Sequence, residues 1–82
     1  MSISAAERDK MLSVPLCGPR VVKRLERIGI QSLTDLAGRD PHELVFAVNH
    51  SVGHPIWRAP MATHAMANLI DAARQEATRM DR

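Results

Sequence analysis

Apolar and polar positions recur with a helical period along most of the chain, and the clearest stretch lies between Pro19 and Ile28. There Val21, Val22, Leu25 and Ile28 share one face at about 100° per residue, while Arg20, Lys23, Arg24 and Arg27 recur on a different one. Pro19 suits the first helical position, where its missing N–H needs no partner, and Gly29 suits the position just past the end. The pattern predicts a helix over Pro19–Ile28 with one packed face and one outward, positively charged face.

The same reading predicts the other elements. Ser4 can cap a helix Ser4–Leu12, with Glu7 three residues on and Ile3, Met11 and Leu12 as its apolar contacts. Pro15 biases Val14 to an extended conformation, so that helix ends near Ser13 and residues 14–18 form a turn. Ser32 and Asp35 frame a helix of barely more than one turn, closing at Gly38. Asp40, Pro41 and Glu43 start a fourth helix, expected to be largely buried through Leu44, Val45, Phe46, Val48 and Val52. Gly53, Pro55 and Pro60 make the next stretch a connection. A long helix follows from Pro60 to about Thr78, its apolar face built from Ala62, Ala65, Met66, Leu69, Ile70, Ala73 and Ala77. Met80–Arg82 are expected to fray. The expected fold is all-α: five short helices, with Val22 and Leu25 packing the second against the fourth and fifth.

Composition narrows the class. With 82 residues and 45% hydrophobic content, residues 1–82 make one small domain, able to bury roughly 60–65% of its unfolded surface. Aromatic residues are only 2%, so the core must come from aliphatic side chains and the 5 Met, a mix that favours helices. No apolar run is long enough to span a bilayer, and the start Met-Ser-Ile-Ser-Ala-Ala-Glu lacks the pattern of a secretory signal. A soluble, cytoplasmic protein is expected. Cys17 is the single cysteine, which excludes an internal disulfide and points to packing. Net charge is only +2, yet residues 18–30 carry four basic residues and one acidic, against one and three over residues 31–57. The positive potential is local.

The run Val14, Pro15, Leu16, Cys17, Gly18, Pro19, Arg20, followed by Leu25, Gly29 and Ile30, resembles a helix-hairpin-helix motif. The resemblance implies a glycine-containing hairpin between two helices. It also implies that the hairpin's backbone N–H groups, with the N-terminus of the second helix, bind a DNA phosphate. The order of elements is similar to a tandem of such units: a first motif at about residues 4–29, a connector at 32–37, and a degenerate second unit at about 40–79 whose hairpin is replaced by the loop Gly53–Pro60. Leu25, Gly29, Ile30, Ser32, Asp35 and Leu36, with Arg39, Asp40, Pro41, Leu44, Gly53 and Pro55, resemble the small bacterial pathogenicity-locus or mitomycin-resistance type. A bacterial competence regulator's C-terminal domain is also similar. The resemblance covers most of residues 14–75 and implies an architecture more than a mechanism. The nucleic-acid contacts it implies are Leu16, Cys17, Gly18, Arg20 and Val21 at the hairpin, beside the basic Lys23, Arg24 and Arg27. Leu16 stands where the family has its first glycine, and its side chain is expected to crowd the phosphate.

Other chemistry finds little support. His50 and His54 have the spacing of two helical metal ligands, but Gly53 and Pro55 break the helix there, so surface histidines are expected and no metal or cofactor. No phosphate-loop consensus, His-Glu-x-x-His or nucleophile elbow is present, and no enzyme is expected. Trp57 is expected to plug the core rather than stack on a base, and Met61, Met66 and Met80 to fill gaps in it. Two functional classes remain. One is a DNA-binding module that contacts the backbone of duplex or branched DNA without reading sequence; the other is a protein-interaction or oligomerisation module on the same scaffold.

Overall fold

In the computed structural model, which describes residues 3–80, the chain runs through helix α1 (Ala5–Leu12), helix α2 (Pro19–Arg27), one 3₁₀ turn (Leu33–Leu36), helix α3 (Pro41–Val52) and helix α4 (Met61–Met80). No strand occurs among the described residues. The architecture is all-α, with four α-helices rather than the five expected. The third expected helix is the 3₁₀ turn. Ala37 already returns to extended backbone after it, so only four residues are available, too few for a ladder of i→i+4 bonds.

Local chemistry sets the boundaries. The Ser4 hydroxyl accepts from the Glu7 N–H at 3.2 Å, and the Asp40 carboxylate accepts from the His42 and Glu43 N–H groups at 2.8 and 3.3 Å. The Asp35 carboxylate accepts from the Gln31 and Ser32 N–H groups at 2.9 and 3.1 Å, tying the 3₁₀ turn to its own entry. Helix α2 stops at Gly29, whose φ of 92° is left-handed, and the Ile30 N–H folds back to the Leu25 carbonyl at 3.1 Å. Helix α3 stops in the same way at Gly53, φ 85°. Helix α4 runs to Met80, past the end expected near Thr78; the fraying expected of Asp81 and Arg82 concerns residues outside the described range.

The core is aliphatic. Met11, Leu25, Leu36, Leu44, Val48, Met66 and Leu69 are fully buried, so every element contributes at least one side chain to the interior. Val22 and Leu25 are buried as expected, but α2 packs mainly on α1 and α3, while α4 lies mainly on α3 and the 3₁₀ turn. The 3₁₀ turn takes the place against α4 that α2 was expected to fill. Helix α3 is also less buried than expected, with only Leu44 and Val48 inside and Phe46 70% exposed, stacked on His50 with ring centroids 6.0 Å apart. Phe46 lies two residues from both Leu44 and Val48, about 200° away around the helix, so it cannot share their face.

Polar ties close the bundle around that core. The Glu7 carboxylate accepts from the Leu33 N–H at 2.8 Å, joining α1 to the 3₁₀ turn, and Lys10 bridges Glu7 and Glu76 at 3.1 and 2.9 Å. Glu26 accepts from the Ile3 N–H at 2.8 Å. The Leu33 N–H and then Lys10 hold the Glu7 carboxyl below its usual range, and the Gln31 and Ser32 N–H groups do the same for Asp35. No helix among the described residues is long and apolar enough to cross a membrane.

Two outcomes are expected. Replacing the fully buried Leu25 by Ala should lower the free energy of unfolding by about 2–5 kcal/mol in urea titrations; a loss under roughly 0.5 kcal/mol would place Leu25 at the surface. Because the Glu7 and Asp35 pKa values are depressed on folding, the stability they contribute is present above the unfolded carboxylate range, about pH 4, and is lost as pH falls through their folded values. Urea midpoints measured from pH 6 to pH 2 should therefore drop below about pH 4, and by less in Glu7→Gln.

Candidate nucleic-acid interface

The turn between α1 and α2 is a four-residue unit, Val14–Cys17, closed by a bond from the Cys17 N–H to the Val14 carbonyl at 3.1 Å. Pro15 and Leu16 are its central residues, and Leu16 has φ 69°, a left-handed angle that a type II turn requires at its third position. Among the described residues Leu16 is the one non-glycine residue with positive φ. The position demands the backbone freedom of glycine, and leucine occupies it under strain. Asn68 of α4 donates to the Pro15 carbonyl at 3.1 Å and anchors the turn to the bundle. Cys17 is buried beneath it, and burial pushes its thiol up to about 11, so the side chain is a neutral packing group.

Beyond the turn, Gly18 caps α2 in extended backbone without a side-chain acceptor, and the first turn holds no acidic residue. The Val21 and Val22 N–H groups both point to the Gly18 carbonyl, at 3.0 and 3.3 Å. Cys17 and Val21, expected as backbone donors to a ligand, thus spend their N–H groups within the chain. The Gly18 and Arg20 N–H groups make no hydrogen bond among the described residues.

Arg20, Lys23 and Arg27 are exposed and Arg24 is half-buried; the four side chains together line a shallow surface concavity of about 350 Å³. None of them forms an ion pair among the described residues, where the ion pairs join Lys10 to Glu7 and Glu76, and Arg39 to Glu43. The uncapped start of α2 and four unpaired cations therefore follow one another along a single helix.

Leu16 is not among the side chains that line this basic concavity. Its side chain, 53% exposed, instead lines a second hollow of about 350 Å³ together with Val21, Ile56, Trp57, Arg58 and Met61. Trp57 is half-buried, packing against the core as expected while also forming a wall of the groove. Its loop is fixed by Asn49, whose side-chain amide donates to the Trp57 carbonyl and accepts from the Trp57 N–H, both at 2.9 Å. Sequence reasoning missed the groove. Its only trace in the sequence is the placement of Ile56 and Trp57 in a Gly- and Pro-rich loop, where apolar residues have no helix face to join.

His50 and His54 lie on either side of Gly53, where α3 ends. Compared with known protein families, curated proteins and solved structures, the chain matches none.

Substitutions at Leu16 should reveal the strain in the turn. Leu16→Val, which places a β-branched side chain at positive φ, should destabilise the fold by about 1 kcal/mol or more. Leu16→Gly should be neutral or stabilising by up to about 1 kcal/mol, as relief of the left-handed penalty offsets the added freedom of the unfolded chain. Paired urea titrations measure both, and equal losses in the two variants would contradict a strained turn.

Proposed function

We propose that this chain is a non-catalytic helix-hairpin-helix-type module that binds the phosphate backbone of duplex or branched DNA without reading its sequence. The observation that carries the reading is the start of α2, where the N–H groups of Gly18 and Arg20 and the side chains of Arg20, Lys23, Arg24 and Arg27 have no partner among the described residues. A helix N-terminus with unspent N–H groups favours an anion such as a phosphate oxygen. The turn before it supports the reading as well, because Leu16 takes the left-handed angle that the family's glycine provides. Backbone contacts position a duplex but carry no sequence information, and the uncapped start of α2 offers a phosphate contact of that kind.

The groove walled by Trp57 lies outside this reading. The remaining face of α2, with Val22 and Leu25, is spent on the core and fixes which residues point outward. The second unit of the tandem, α3 and α4, acts in the proposal as the platform that holds α2 in place.

If three or four of the cations reach phosphates, log affinity should fall against log salt with a slope of about −3 to −4. Lys23→Ala should weaken binding to unrelated duplexes alike and reduce the slope by about one. Fluorescence anisotropy with duplex and four-way-junction DNA between roughly 50 and 200 mM salt gives both quantities. Absence of binding at the lowest salt would overturn the proposal.

A further inference from the structure

Four large hydrophobic side chains are markedly exposed among the described residues, and three of them surround one groove: Leu16 at 53%, Ile56 at 40% and Met61 at 64%. They come from three separate segments, the α1–α2 turn, the loop before α4, and the first residue of α4. Concentration of exposed apolar surface in one concave place is the mark of an interaction site, whereas scattered single residues are ordinary. The groove is also held in shape. Asn49 clamps Trp57 from both sides of its peptide, and Asn68 anchors Pro15 next to Leu16.

The charge around the groove is of one sign. Arg58 is part of its lining, no acidic residue is, and Arg24 lies three residues beyond Val21 on α2, hence on the neighbouring turn of the same helix side. Neither Arg58 nor Arg24 has an ion-pair partner among the described residues. Apolar anchors alone would suit a second copy of this chain equally well, but two copies would bring Arg58 and Arg24 towards their own counterparts, and like charges oppose such docking. An acidic partner answers both features.

We propose that this groove is a docking site for an acidic amphipathic helix of another protein, whose apolar residues at i, i+3 or i+4, and i+7 fill the hollow between Leu16, Trp57 and Met61 while Asp or Glu residues on its flanks pair with Arg58 and Arg24. The site shares helix α2 with the phosphate-binding face but uses a different side of it. Val21 faces the groove, Arg20, Lys23 and Arg27 face the basic concavity, and Arg24, which also lines that concavity, lies between the two around the helix. The docking site does not depend on the DNA reading.

Trp57 is the only tryptophan of the chain and stands in the groove wall, so its fluorescence reports occupancy directly. The probe is a random 16-residue peptide library displayed on phage and selected on the full chain. Binders that also hold the double variant Ile56→Ser/Met61→Ser are discarded. Both replaced side chains are exposed, and circular dichroism should show an unchanged fold. The expected consensus combines apolar residues at helical spacing with Asp or Glu between them. A synthetic peptide of that sequence should shift Trp57 emission saturably, and should bind at least tenfold more weakly to the double variant and to Arg58→Glu.

Failure to enrich any sequence on the wild type over the double variant would overturn the proposal, and so would a consensus without acidic residues. A shift of Trp57 emission on concentrating the protein alone would assign the groove to a second copy, and competition of the peptide by single-stranded oligonucleotide would assign it to nucleic acid. Lys23→Ala/Arg27→Ala should leave peptide binding within twofold of wild type while weakening DNA, so the two readings can fail independently.

Discussion

Everything in this molecule depends on one shared aliphatic interior. Helices of 8, 9 and 12 residues are too short to persist alone in water, since an isolated helix is marginal below about 12–15 residues. They exist because Met11, Leu25, Leu36, Leu44, Met66 and Leu69 meet in one place, with no aromatic ring among them to fill space in bulk. A core of such thin side chains must be closed from all sides. Helix α4, the longest element, does this by covering both α3 and the 3₁₀ turn, while α1 packs on α2 and the 3₁₀ turn and α2 packs on α3.

That interior also dictates the surface. Once Val22 and Leu25 are committed to the core, the rotation of α2 is fixed, and with it the outward direction of Arg20, Lys23 and Arg27. Val21, one residue before Val22, is left at the margin and becomes a wall of the groove. The basic concavity and the apolar groove are thus two results of a single packing decision, placed about a third of a turn apart on the same nine-residue helix.

The features legible in the sequence were those settled within a few residues. Ser4, Asp40 and Pro41 marked helix starts, and Gly29 and Gly53 marked ends, because capping is a local exchange between a side chain or backbone angle and the nearest free peptide groups. The stripe on α2 was legible because periodicity assigns faces. The rest needed three dimensions. The reading of Phe46 as buried grouped apolar residues by type and ignored its angular distance from Leu44 and Val48. The groove assembles residues more than forty positions apart, so no window along the chain contains it. Which N–H groups remain available at the start of α2 was likewise hidden, since that depends on how Gly18 turns its carbonyl toward Val21 and Val22.

Cys17 gives this arrangement a built-in clock. Its thiol is the only one in the chain and lies buried under the turn that precedes α2, where burial raises its pKa to about 11. A thiol-specific reagent can reach it only when that turn lifts away, and the exposed thiol then reacts much as a free one does. The labelling rate of the native protein divided by that of the unfolded chain is therefore the equilibrium constant for opening the turn. Any ligand that settles on the neighbouring surface and holds the turn shut must slow the reaction by the same factor through which it favours the closed form.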